Sequence, residues 1–243
     1  MNVTTSDDFT GVQANHSLSK AFIVLGYSDG AISTIPNNFF RNWMDEEATV
    51  GTFVIGKGSG IGVGSIAKYD GEFQKLVIGK YVAGGLRLKF LLNGQHDLRT
   101  ISTSMLSVYG GDGMRNSPPP QYGDTVIRND VWIGDEAMFL GGSTVENGCV
   151  IGARTLVPAN FKSEPYGIYV GSPARLVRFR FPEKIREMLV ELAWWDMPGL
   201  WIRQHNNHFL ADLTADEGQS IEILTELLRV KKEWLELRAA ANA

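Results

Sequence analysis

The chain has 243 residues, a formal net charge of −4 and a single cysteine, Cys149. These values exclude an internal disulfide framework and any general electrostatic pull toward nucleic acid or an anionic membrane. Hydrophobic content of 44% is ordinary for a soluble protein, and 27 glycines suit a fold dense in turns. Residues 1–10 are polar and acidic, and the apolar run 21–25 is too short for a signal core or a span. A cytoplasmic location with no membrane partner is the expectation.

Residues 1–48 carry no repeat and receive no functional role. Within them 22–25 reads as a short buried strand and 26–30 as a turn, while Phe39, Phe40 and Trp43 could cap the open end of a coil begun by the next residues. A six-residue frame sets in near Thr49, where Ile55-Gly56 and Ile61-Gly62 open two phrases and Ser59 and Ser65 take the small positions. The frame breaks at 67–76, around Tyr69-Asp70-Gly71, and resumes at Ile78-Gly79, Gly84 and Phe90. A long stretch, 93–125, then interrupts it with Gly110-Gly111-Asp112-Gly113 and Pro118-Pro119-Pro120. Because the frame returns cleanly, this is an excursion from one coil and not a linker.

Between 127 and 162 the phrase repeats without a gap. Every sixth residue is apolar (Ile127, Ile133, Phe139, Val145, Ile151, Val157), and four places on sit mostly small ones (Val131, Ala137, Ser143, Cys149, Thr155, Phe161). That period fits neither a helix nor a lone strand; it fits a parallel β-helix in which each phrase supplies one side of a coil. Glycines such as Gly134, Gly141, Gly142, Gly148 and Gly152 would relax its corners. Cys149, at an inward position, reads as a small core residue and not a nucleophile.

The coil should end near Tyr169. Gly171-Ser172-Pro173 reads as a turn and 175–181 as a half-exposed strand; a helix begins at Pro182 with Ile185, Met188, Leu189 and Leu192 on one face. A last amphipathic stretch, 220–238, gathers Ile221, Leu224, Leu228 and Leu235, its charges forming a solvated face. The expected organisation is therefore an N-terminal segment 1–48, a β-helix 49–172 with its excursion loop 93–125, and a strand and helical extension 173–243. In class this is an all-β core with C-terminal helices.

Of the four histidines, only His96 sits where the coil opens into the long loop. From the residues alone it is either a general base or a surface histidine. The loop motif Asn93-Gly94-Gln95-His96 with Ser102-Thr103 resembles that of the xenobiotic acetyltransferases, the hexapeptide-repeat enzymes that include type B chloramphenicol and streptogramin acetyltransferases. Gly123-Asp124-Thr125, Asp130-Val131-Trp132-Ile133-Gly134, Tyr169-Val170-Gly171-Ser172-Pro173-Ala174-Arg175 and Glu191-Leu192-Ala193-Trp194-Trp195-Asp196 extend the resemblance over roughly 62–198. It implies a left-handed parallel β-helix, a homotrimer with active sites between subunits, acetyl-coenzyme A as cosubstrate, and a small hydroxylated acceptor.

The same resemblance assigns roles. His96 would be the base that takes the acceptor's hydroxyl proton in a ternary complex, with a backbone amide stabilising the oxyanion. Trp132 would lie by the pantetheine arm, or else be an outward aromatic covering the coil. Gly142, Ser143, Ala153 and Thr155 would expose backbone and small side chains to that arm, or serve the repeat alone. Arg175 would meet the cofactor's phosphates, helped by Lys162, since Pro158-Ala159 stand where relatives carry Thr-Lys. Tyr69, Asp70 and Ser102 would touch the acceptor, although Tyr69-Asp70 also reads as an ordinary exposed turn. Relatives place an acid three residues after the histidine. Here Asp97 follows at once and Ser102-Thr103 arrive one place late, so Asp97 reads as a solvated loop residue. Transfer to a sugar or metabolite hydroxyl or amine, and a non-catalytic scaffold, stand as alternatives. A γ-type carbonic anhydrase does not, because the coil supplies one histidine where zinc would need three. No metal is expected, and no basic stripe suggests nucleic acid.

Overall fold

The computed structural model describes residues 1–5, 8–104, 106–110 and 121–241. Its body is three parallel sheets that the chain visits in fixed rotation. The first holds Asn2–Thr4, Thr52–Ile55, Lys75–Ile78, Thr125–Ile127 and Thr144–Val145; the second, Ala83–Gly84, Trp132–Ile133, Val150–Ile151 and Gly167–Val170; the third, Phe40–Arg41, Ile66–Lys68, Lys89–Leu91, Met138–Leu140 and Leu156–Val157. Val126 pairs with Thr144, Trp132 with Val150 and Met138 with Leu156, a shift of eighteen residues on every face. Three six-residue phrases thus make one turn of a three-faced coil.

The interior explains the repeat. Ile127, Ile133, Phe139, Val145, Ile151 and Val157 are all fully buried, as are Ala137, Ser143, Cys149 and Thr155 at the small positions. Alternation along such short strands sends one neighbour in and the next out, so Trp132 is 59% exposed beside a buried Ile133. The corners differ from expectation. A left-handed residue recurs every sixth position, at Asp130, Glu136, Gly142, Gly148, Arg154, Asn160 and Tyr166, and only two of these are glycine. Gly134 has another reason: a methyl group there would come 2.5 Å from the Ala153 nitrogen of the next coil. Corner amides are satisfied by side chains of the adjacent turn, as where Asn129 Oδ1 accepts from Lys80 N at 2.8 Å and Asn147 Oδ1 from Asn129 N at 3.0 Å.

The first 48 residues join this coil. Asn2–Thr4 pairs with Thr52–Ile55 and Phe40–Arg41 with Ile66–Lys68, both parallel. An antiparallel sheet of Phe9–Val12, Phe22–Tyr27 and Ile32–Pro36 continues the second face through bridges from Thr34 to Gly60 and from Gly60 to Ala83. Phe39 is buried against Phe53 and Phe90 at this end and Phe40 packs beside it, whereas Trp43 is 70% exposed and caps nothing. Buried Lys57 clasps the pieces together, donating to Asp8 at 2.9 Å and Asp29 at 3.0 Å, while Asp29 also accepts from Gly199 N at 3.3 Å.

At the other end, Arg175–Phe179 folds back antiparallel on Gly167–Val170, and helix Glu183–Leu192 packs on the long helix Glu217–Ala241. A second core forms around Tyr166, Ile185, Leu192, Trp201, Leu224 and Leu227. Leu235 does not join it; it is exposed because the shorter helix stops at Leu192, whose carbonyl Lys231 Nζ caps at 2.6 Å. Trp194 docks this extension on the coil by its contact with Tyr81, ring centres 4.7 Å apart, and Lys80 pairs with Asp196 at 2.8 Å. No helix among the described residues is long and apolar enough to cross a membrane. Residues 105 and 111–120, which hold most of the glycine and proline run of the excursion, lie outside the described residues.

Two measurements test this packing. Ile133→Ala should cost about 2–5 kcal/mol of unfolding free energy through the cavity it leaves, whereas Trp132→Ala, one residue away, should cost under about 1 kcal/mol. In Asp29, burial favours the neutral form, but hydrogen bonds from Ala31 and Lys57 and the Lys57 charge outweigh it and hold the carboxyl below its usual 3.8. Its contribution is complete above that unfolded value and is lost as pH falls through the lower folded one. The melting-temperature gap between the native protein and Asp29→Asn should therefore be open at pH 7 and close on acidification.

Candidate active site

The strand Lys89–Leu91 of the third face ends at Leu92, and the chain leaves the coil through Asn93, Gly94, Gln95 and His96. This exit is stitched by short-range bonds. Tyr122 Oη donates to Gln95 Oε1 at 3.0 Å, tying the returning strand of chain to the departing one. Asp97 is buried, its carboxylate gripped by Arg99 through Nε and Nη2, both at 2.9 Å, and by the Arg99 backbone N at 3.0 Å. It is therefore not a solvated aspartate; Arg99 holds its carboxylate. The arginine two places on was the sequence's own sign of this pairing. Thr100 Oγ1 bonds the carbonyl of Ser102 at 2.8 Å, and Ser102 Oγ accepts from Ser104 N at 3.1 Å, which curls the loop back.

The curl places a carbonyl against the histidine. His96 Nδ1 lies 2.5 Å from the Thr103 carbonyl oxygen. A carbonyl only accepts, so Nδ1 carries a proton, and in the neutral form of the ring the lone pair is then on Nε2. The ring is exposed, so Nε2 is open to a molecule arriving from outside. Sequence reading missed this partner because a backbone carbonyl leaves no residue-type signal.

The acceptor-side pair separates. Tyr69 is fully buried, its hydroxyl donating to the Thr52 carbonyl at 3.2 Å and its ring near Phe40 in the coil's interior. Burial drives its pKa far up, so it is a neutral core residue and cannot touch a ligand outside. Asp70, next along, points the other way. A methyl group built on Gly94 would meet its Oδ2 at 3.7 Å, so the carboxylate faces the exit that bears His96. Partial burial raises its pKa, with Lys68 opposing. Gln74 Oε1 holds the turn by accepting from Asp70 N at 2.6 Å and Gly71 N at 3.3 Å.

The residues expected to meet a cofactor lie elsewhere on the coil. Trp132 stands on the second face over a groove of about 270 Å³ with Tyr81, Ala83, Val131, Val150, Asp130 and Arg180. Ala153, Lys162 and Arg175 are exposed, and neither cation has a carboxylate partner among the described residues. Gly142 sits at a corner with φ of 76°, where a side chain would strike Asn160 Oδ1 at 2.4 Å. Ser143 and Thr155 turn inward and are 0% and 1% exposed, so within one chain neither their side chains nor their backbone faces an outside molecule, and of their two readings burial fits the purely structural one. The inward small position dictates this, since it lies in register with the apolar ladder. Within one chain no hydrogen bond or ion pair among the described residues joins His96 to Trp132, Lys162 or Arg175. No group of three or more potential metal ligands occurs among the described residues.

Residues 124–159 match the family model described as bacterial transferase hexapeptide (six repeats). The chain is 37% identical over 136 residues to a probable macrolide acetyltransferase of Lysinibacillus sphaericus, covering 54% of this chain and 74% of the relative. It is 40% identical over 135 residues to a chloramphenicol acetyltransferase of Agrobacterium fabrum, covering 53% of this chain but only 63% of that protein, under two-thirds of its length. Among solved structures, the N-acyltransferase AntD of Bacillus cereus, in complex with dTDP and 3-hydroxybutyryl-CoA, aligns over 65% of this chain and 85% of its own at 18% identity and a TM-score of 0.42. With its six-residue ladder and its kinship to the macrolide enzyme across three-quarters of that protein, the chain belongs to the hexapeptide-repeat xenobiotic acetyltransferases, a family of acyltransferases.

Proposed function

We propose that this chain is an acetyl-coenzyme A-dependent O-acetyltransferase acting on a hydroxyl of a small, antibiotic-like molecule, with His96 as general base. The observation that carries the proposal is the bond between His96 Nδ1 and the Thr103 carbonyl, which in the neutral ring puts the lone pair on Nε2, on an exposed residue. An alcohol is a poor nucleophile while protonated, and an imidazole of this tautomer can take its proton and return it to a departing thiolate. Acetyl-coenzyme A would supply the activated acetyl group as a thioester. The surface fits such a cosubstrate. An exposed indole over an apolar groove suits a slim arm, and two unpaired exposed cations suit phosphates. Asp70, facing the same exit as His96, is the acidic group best placed to orient the acceptor.

His96 follows the third face, whereas Trp132 stands on the second. A straight prism cannot bring two of its own faces together. This supports assembly of the coil, left-handed on the family resemblance, as a homotrimer in which the imidazole of one subunit works against the cofactor groove of its neighbour. The unit 49–172 would be the catalytic coil, carrying its excursion loop, and 173–243 its helical buttress.

Release of free coenzyme A thiol from acetyl-coenzyme A, followed across chloramphenicol, macrolide and streptogramin alcohols and across sugar alcohols and amines, tests the reading. A drug-type alcohol should give the fastest turnover; a sugar or amine in its place would redirect the assignment to biosynthetic acylation. His96→Ala should keep the melting temperature and oligomeric mass but lose about 10²–10⁴ in kcat. Near-normal turnover would remove the imidazole from the reaction. Tyr69→Phe, as a control, should leave the acceptor KM unchanged and cost only about 0.5–1.5 kcal/mol of stability.

A further inference from the structure

A second, partly enclosed cavity of about 320 Å³ lies between the coil and the C-terminal helices. It shares with the Trp132 groove only Asp130 and Arg180, the pair that forms the wall between them. Most of its lining is apolar, including Leu189, Trp194, Phe209 and Leu227. It is about twice the roughly 150 Å³ of an apolar cavity able to hold benzene.

Its polar groups include two without partners among the described residues. Tyr166 is 1% exposed and its hydroxyl has no hydrogen-bond partner among the described residues. The Nδ1 of His208, also buried, has none either. Among the described residues the Asp130 carboxylate receives only a long bond from Arg180, at 3.4 Å. Folded proteins leave few buried polar atoms unpaired, and two such atoms together with a weakly held carboxylate on one cavity point to a missing partner. Asp130 and Arg180 pair with each other, and the other carboxylate of the lining, Asp212, is exposed and takes hydrogen bonds from Thr214 N and Oγ1, so no buried counter-charge is left for a charged ligand. A hydroxyl can both donate and accept, which meets a phenol, an imidazole nitrogen and a carboxylate alike.

We infer that this cavity binds a compact, uncharged, largely apolar molecule bearing one hydroxyl group, of the alkylphenol type, through Tyr166, His208 and Asp130. The inference does not depend on the proposed catalysis, and its readout is binding. Burial raises the pKa of Tyr166, which keeps its hydroxyl a neutral partner, and raises that of Asp130 against the opposing pull of Arg180.

The test is calorimetric titration of the full chain with 4-propylphenol, with propylbenzene and 4-propylbenzoate as comparisons. One saturable site per chain is expected, with a dissociation constant below about 1 mM and at least about tenfold weaker binding of both comparisons. Tyr166→Phe should keep or raise the melting temperature, because it removes an unpaired buried hydroxyl, and should weaken the phenol about tenfold. Leu227→Trp, which fills the space, should abolish binding; if that variant fails to fold, Tyr166→Phe alone decides. Absence of saturable binding, as when the cavity holds only water, overturns the inference. So does equal binding of phenol and hydrocarbon, or binding unchanged in Tyr166→Phe.

Discussion

The structure depends on the narrowness of the coil. Its interior admits one large and one small side chain from each six-residue phrase, and the rest of the phrase must turn outward or bend. Ile133 and Ala137 fill that space from one phrase, Phe139 and Ser143 from the next, all without exposure. An aromatic residue in place of Ala137 or Ser143 would overpack a space already at interior density. The same constraint removes Ser143 and Thr155 from any outside chemistry and leaves the faces to be functionalised by their outward neighbours.

A rigid prism gives the chemistry a fixed frame but no pocket of its own. The pocket must come from what is added to the prism: the exit loop after Leu92, the hairpin sheet at the start and the helices at the end. Lys57, held by Asp8 and Asp29, and Trp194, laid on Tyr81, fasten two of those additions to consecutive turns of the coil. The exit loop is held differently, by its own Asp97–Arg99 pair and by Tyr122 on Gln95. Such local stitching lets a loop carry a defined imidazole tautomer without burying the ring.

The altered spacing around the histidine finds its meaning in this stitching. Where the family resemblance implies an acid three places on, this chain has Asp97 held by Arg99 and a carbonyl at Thr103 in contact with the ring. A carbonyl fixes the tautomer as an acid would, but adds no negative charge beside the ring. Asp70 faces the exit from the other side, with partial burial raising its pKa.

The sequence by itself determined the coil, its inward ladder, the exit at His96 and the helix at Pro182, because each is a matter of period or of residue type at a fixed spacing. It could not show that residues 1–48 pair into the coil, since their strands come from single visits to each face and make no repeat. It also could not sort Tyr69 from Asp70, adjacent residues of one turn sent to opposite sides by strand alternation. Only the tertiary structure decided those, along with the Thr103 carbonyl on the imidazole and the cavity around Tyr166. These features join segments distant in the chain or use backbone atoms that every residue shares, so no pattern of side chains announces them.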